Sequence, residues 1–216
     1  MKKNTKYILL ITLIIITSLV AYEIISIQSR PCLLGNHLHG FRYVSQKIGS
    51  NCGGACLEMV IRFIKGDYSN PNYNQCSIDG NFRILSGFSR SRPCISPCTE
   101  CNNPNNCVFA HDKISIKNTL YSYTISSTIK SLPIIEADII NQIQTKKKPI
   151  IAYGDLNVRG TRTDHFIVIV GYDYIKSDSK CKLLIEIYDP YGCNTCTYKV
   201  PLSGGLFTFE SLIYIN

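Results

Sequence analysis

Four residues have the types and the chain order needed for acyl chemistry on a thiol: Gln46, Cys52, His165 and Asp189. Cys52 lies six positions after Gln46 and opens the run CGGACLEMVIRFIK, which reads as a helix. A cysteine at a helix N-terminus meets partial positive charge and unpaired N–H groups, which favour thiolate over thiol. The Gln46 amide, one loop back, can donate to a developing oxyanion. His165 starts the strand-like run HFIVIVGY, where an imidazole can take the thiol proton and later deliver it to a leaving amine. Asp189 ends LLIEIYD and can accept from that imidazole, setting its tautomer and orientation. Each residue alone also has a plainer reading: half a disulfide, a strand-edge histidine, a turn aspartate before Pro190. The combination in this order carries the chemistry. Asp155 and Asp164 are alternative partners for the imidazole. Asp164 adjoins His165, and consecutive strand residues point to opposite faces, so Asp189 is the stronger candidate.

The elements that would position these groups are legible. Cys56, Met59, Val60, Phe63 and Ile64 fall on one face of a helix. Ser50 or Asn51 can cap its start, and Gly66 fits just past its end. Gly53 and Gly54 each cost a helix roughly 1 kcal/mol against alanine. Their place in the first turn suggests close approach of another chain, as in a substrate cleft. Residues 131–148 predict a second helix, with Ser131 as cap, Pro133 in the first turn and a stripe of Ile135, Ile139 and Ile143. A short strand follows at Ile150–Tyr153. His165–Tyr172 is nearly all apolar and reads as a central strand. Leu183–Asp189 is another, with Ser177, Asp178 and Ser179 in the turn between them. Thr197–Val200, Leu206–Phe209 and Leu212–Ile215 suggest further strands around Gly204 and Gly205. Helix first and sheet last is an α+β chain, with the nucleophile on the N-terminal helical part and His and Asp on a C-terminal antiparallel sheet.

Gln46, Cys52, Gly53, Ala55, Cys56, Leu57, Met59 and Val60 resemble the Q-x5-C-G-x-A-C-L-x-M-V signature of the bacterial double-glycine leader peptidases, which belong to the papain-like cysteine peptidases. The K-P-I-I run at 148–151, the D-H-F-I-V-I-V-G-Y run at 164–172 and D-P-Y-G at 189–192 are similar to that family's histidine and aspartate segments. The resemblance covers roughly Tyr43–Lys65 and Pro149–Gly192. It implies a papain-like fold, peptide-bond hydrolysis, and the roles of nucleophile for Cys52, base and acid for His165, orienting carboxylate for Asp189 and oxyanion donor for Gln46. An export leader and dense cysteines depart from the transporter-fused enzymes of that family. The resemblance therefore carries the thiol chemistry and not the double-glycine substrate.

The remaining features bound the setting. Residues 1–30 have a basic start and an apolar run from Tyr7 to Ala21, shorter than the about 20 residues a spanning helix needs. They read as a signal peptide or, if the apolar stretch is retained through 7–27, as a membrane anchor. The peptidase domain is then 31–216, and its destination secreted or extracytoplasmic. Eleven cysteines agree with an oxidising compartment, and the odd number suggests one free thiol plus up to five bridges. Cys56 rivals Cys52 for that free thiol. Residues 66–118 are dense in Asn, Ser, Pro and Gly, and read as a disulfide-stapled, loop-rich insertion. Cys94, Cys98, Cys101 and Cys107 have a spacing that could hold zinc, but after export disulfides are favoured over a metal. His37 and His39 lack a nearby third ligand and read as ordinary surface histidines. No metal or cofactor is called for.

The net charge of +8 lies partly in the leader, and no basic stripe with interleaved aromatics suggests nucleic acid. The expected partner is a peptide or protein substrate; the oligomeric state is not legible. The same acyl-enzyme also fits a deamidase, amidase or transpeptidase. From another class, a non-catalytic papain-like binding module would be indicated by Cys52 in a disulfide.

Overall fold

The computed structural model describes residues 32, 34–46, 51–75, 77–79, 112–158, 161–177, 180–191, 197–202 and 207–216. The leader, Ser50, Gly192, Gly204, Gly205 and the cysteines from Cys76 to Cys107 lie outside these residues. The chain forms two compact units, the smaller being Met1–Leu34 with Tyr174–Lys182 and the larger Gly35–Asp173 with Leu183–Asn216. In the smaller, Cys32 and Cys181 form a disulfide that joins positions 149 residues apart.

In the larger unit, α1 spans Cys52–Lys65. Asn51 caps it by accepting from the Gly54 N–H, and Gly66, at φ 66°, closes it with its N–H on the Arg62 and Phe63 carbonyls. A left-handed residue at that place favours glycine, which has no Cβ to clash. The expected single buried face understates the helix: every residue from Gly53 to Ile61 is buried. A helix covered on all sides along its first turns needs a partner for each polar group it carries. Glu58 has them, pairing with Arg62 at 2.9 Å and accepting the Gln75 N–H at 3.0 Å.

A single 3-10 turn at Pro71–Tyr73 follows. Helix α2, Lys113–Ser122, is capped by Asp112, whose carboxylate accepts the Ser115 N–H at 2.6 Å. Its buried residues are Ile116, Thr119 and Leu120, and it packs against α1 and the strand Ser127–Ser131. The end of the region read as an insertion is thus helical. The weakly amphipathic run KISIKNTLYS hides that from periodicity.

Among the described residues the sheet has seven strands: β1 (Asn36–His37), β2 (Ser127–Ser131), β3 (Ile150–Val158), β4 (Thr161–Ser177), β5 (Lys180–Tyr188), β6 (Thr197–Pro201) and β7 (Phe207–Ile215). Their order is β2-β7-β3-β4-β5-β6, with β1 paired to β4. The strand read as central, β4, lies between β3 and β5 as expected. Ile167 to Val170 on β4 and Ile150 to Ala152 on β3 are fully buried, so both faces of the sheet are covered there. The two strands expected at Leu206–Phe209 and Leu212–Ile215 are one strand, β7, which runs through Glu210 and Ser211 because Ser211 pairs with Tyr153 on one side and Ser131 on the other.

The helix expected over 131–148 is a correction. Ser131 is no cap but the last residue of β2. Helix α3 begins at Glu136, runs to Ile140 and widens into a π-helical turn at Asn141–Thr145. Only Ile139 and Ile143 of the isoleucine stripe are core; Ile135 is 55% exposed. Pairing with β7 wins the start of the segment for the sheet, and Pro133, with no N–H to give, sits between strand and helix. The π turn is tied to the sheet by Gln142 Nε2, which donates to the Ile215 carbonyl at 2.6 Å.

Candidate active site

His165 lies near the start of β4, and Asp189 is the first residue after β5. Neighbouring strands joined by a short turn put the start of one beside the end of the next, so the two side chains come to the same end of the sheet. His165 Nε2 donates to Asp189 Oδ1 at 2.7 Å, and both residues are about 95% buried, at 5% and 4% exposure. Pro190 cannot continue the ladder, and the chain turns so that the Tyr191 N–H also donates to Asp189 Oδ1, at 2.8 Å. The carboxylate is therefore held from two sides.

With Nε2 occupied, the His165 ring has Nδ1 left for a second partner, and the Cys52 thiol lies near enough to raise the imidazole's pKa. Burial of the imidazole disfavours its charge. The hydrogen bond to Asp189, with the charge of Cys52 and Asp189, outweighs that and pushes its pKa up from 6.5 to about 9. Cys52 is a free, partly exposed thiol at the first residue of α1. Cys56 is also free, which corrects the expectation of a single free thiol. One helical turn further on, it is wholly buried, and that burial first, then the neighbouring Cys52 and Asp189, push its thiol well above the usual range. Cys56 is therefore a core residue in chemical terms.

Gln46 is half-buried, and its backbone N–H donates to the Pro190 carbonyl at 2.9 Å. That bond ties the segment carrying the amide to the one carrying Asp189. All four candidate residues thus belong to one connected framework. Asp164 is exposed on the opposite face of β4, where its charge acts on the Tyr153 phenol and not on His165, as strand alternation requires. Asp155 pairs with Asp164 across β3 and β4.

Gly54 has a reason within the helix itself: a Cβ there would collide with Asn51 Oδ1, the acceptor of the helix cap. Three neighbours escaped the sequence reading. The half-exposed Tyr191 ring stands edge-on to His165, with centroids 6.3 Å apart. The phenol of Tyr43 is pushed up to about 12 by burial and then by the charge of Asp189, so it stays neutral beside that carboxylate. Asp79, 2% exposed, accepts from Asn51 Nδ2 at 2.8 Å. The aromatic after D-P was the one available signal; nothing local marks Asp79.

His37 sits 3.1 Å from Glu186 through Nδ1, with the His39 ring 6.4 Å away. Among the described residues, no group of three His, Cys, Asp or Glu side chains gathers as a metal site.

An α+β chain of helices packed with an antiparallel sheet has the fold of a papain-like cysteine peptidase. Residues 38–211 match the model of the Peptidase_C39 like family, and the chain belongs to that family. No curated protein matches. The solved structure titled "Crystal structure of UfSP from C.elegans" is similar at a TM-score of 0.47 and 11% identity, over 86% of this chain and 35% of that one. The chain thus spans about a third of the length of that structure.

Proposed function

We propose that this chain is an exported cysteine peptidase that works through Cys52, His165 and Asp189 with Gln46 in the oxyanion hole. The observation that carries the reading is the buried His165–Asp189 pair at 2.7 Å, together with a free, partly exposed Cys52 thiol at the first residue of α1. The Cys52 proton passes to His165, and the sulfur attacks the carbonyl carbon of the peptide bond. The oxyanion is met by the Gln46 side-chain amide and the Cys52 backbone N–H. His165 returns the proton to the departing amine, leaving a thioester on Cys52. Water, deprotonated by His165, then releases the acid, and the proton returns to sulfur.

Asp189 keeps the ring turned with Nδ1 toward sulfur throughout. Export is supported by the basic and apolar leader and by the Cys32–Cys181 bridge, since such bridges persist in oxidising compartments. The test is iodoacetamide alkylation of the unreduced protein at about pH 5.5, where an ordinary thiol of pKa ~8.5 hardly reacts. Selective labelling of Cys52, lost in His165→Ala, is the expected result. An inert Cys52 would overturn the reading.

A further inference from the structure

The two proposed oxyanion donors, Gln46 and the Cys52 N–H, are six positions apart in the chain. Two buried residues, Gln75 and Asp79, are bonded beside them. Gln75, fully buried, donates from Nε2 to the Ser45 carbonyl at 2.9 Å, next to Gln46. Its own N–H donates to Glu58 Oε2 at 3.0 Å, on the helix that carries Cys52. Asp79 accepts from Asn51 Nδ2 at 2.8 Å, next to Cys52.

The last bond also selects an orientation. A carboxylate can only accept, so it requires the NH2 end of the Asn51 amide to face it. The oxygen end is thereby turned to the Gly54 N–H, which it accepts at 3.2 Å, while the Asn51 carbonyl accepts the Ala55 N–H at 3.1 Å. The two oxygens of the cap thus accept from Gly54 and Ala55. With the amide reversed, two donors would face each other at Gly54.

We infer that Gln75 and Asp79 are positioning residues that set the spacing and aim of the oxyanion hole, acting through Ser45 and Asn51 without touching substrate. This rests on the reading of Gln46 and Cys52 as oxyanion donors. It separates two reactions of one thiol. Alkylation by iodoacetamide forms no oxyanion, whereas acylation by p-nitrophenyl acetate does. Small displacements of oxyanion donors cost on the order of 10–10²-fold in rate.

The experiment measures both rates at Cys52, by mass spectrometry and p-nitrophenol release, in the full chain and in Gln75→Met, Asp79→Leu and Asp79→Asn. Gln75→Met keeps the side-chain volume and the backbone bond to Glu58 and loses the bond to Ser45. Asp79→Asn keeps an acceptor for Asn51. Expected is a fall of about tenfold or more in acylation for Gln75→Met and Asp79→Leu, with alkylation unchanged and Asp79→Asn close to wild type. Equal acylation in Gln75→Met and wild type would overturn the inference. So would a parallel loss of both rates, since that marks a merely structural role. Should Asp79→Leu fail to fold, Gln75→Met and Asp79→Asn decide alone. Failure of the functional reading itself looks different: wild-type Cys52 would then resist iodoacetamide.

Discussion

His165 on β4 and Asp189, just past the end of the adjacent β5, are 24 positions apart, and their side chains meet at 2.7 Å with nearly all solvent excluded from both. A charged hydrogen bond shielded in this way is stronger than one in water, and losing either partner leaves the other buried alone. Asp189→Ala is therefore expected to lower kcat/KM by about 10²–10⁴-fold. A peptide substrate selected from a library with the wild-type enzyme would measure it. Wild-type activity in that variant would exclude Asp189 as the orienting group.

The same pair makes stability depend on pH. The His165 pKa is raised from 6.5 to about 9, against burial, by the Asp189 hydrogen bond and the charge of Cys52 and Asp189. The folded chain holds this proton more tightly than the unfolded one. The stabilising contribution is whole below about pH 6.5 and is lost as pH rises through about 9. Urea midpoints are expected to fall from pH 6 toward pH 10 by more in the wild type than in Asp189→Asn. Parallel curves would rule the linkage out. The alkaline limb of kcat/KM is expected near the same value, at about 9.

Gly54→Ala separates intrinsic propensity from tertiary fit. In an isolated helix this change gains about 1 kcal/mol. Here the new Cβ would collide with the Asn51 amide, which is 1% exposed and held by Asp79, so it cannot swing aside cheaply. Overpacking of this kind costs about 1–3 kcal/mol, and chemical denaturation is expected to show a net loss. A stabilised variant would show that the cap is free to move.

Cys56→Ala removes a buried sulfur and is expected to cost about 1 kcal/mol while leaving Cys52 labelling and turnover intact. Loss of turnover in a folded Cys56→Ala protein would give Cys56 a chemical role.

Breaking the long covalent loop closed by Cys32 and Cys181 is expected to destabilise the chain by about 2–5 kcal/mol. Comparing Cys32→Ser/Cys181→Ser with the unreduced wild type in denaturant measures it, and coincident curves would show that the bridge contributes nothing.

Sequence alone determined the helix that opens at Cys52, its glycine stop at Gly66, the central strand of His165 and the chain order of cysteine, histidine and carboxylate. Those features are local: a cap, a left-handed glycine and an apolar β-branched run are each set by neighbours a few residues away. Strand alternation even decided between Asp164 and Asp189, because the period of two is a property of the backbone. The segment at 131–148 misled, since its helical stripe competes with a pairing partner in β7 that lies some 80 positions on in the chain. The burial of α1 on every side, the second free thiol at Cys56, the reason for Gly54 and the buttress of Gln75 and Asp79 were decided only by tertiary structure. Each depends on contacts between residues far apart in the chain, where a buried donor or acceptor takes whichever partner the packing brings within 3 Å or so. No spacing rule encodes that choice.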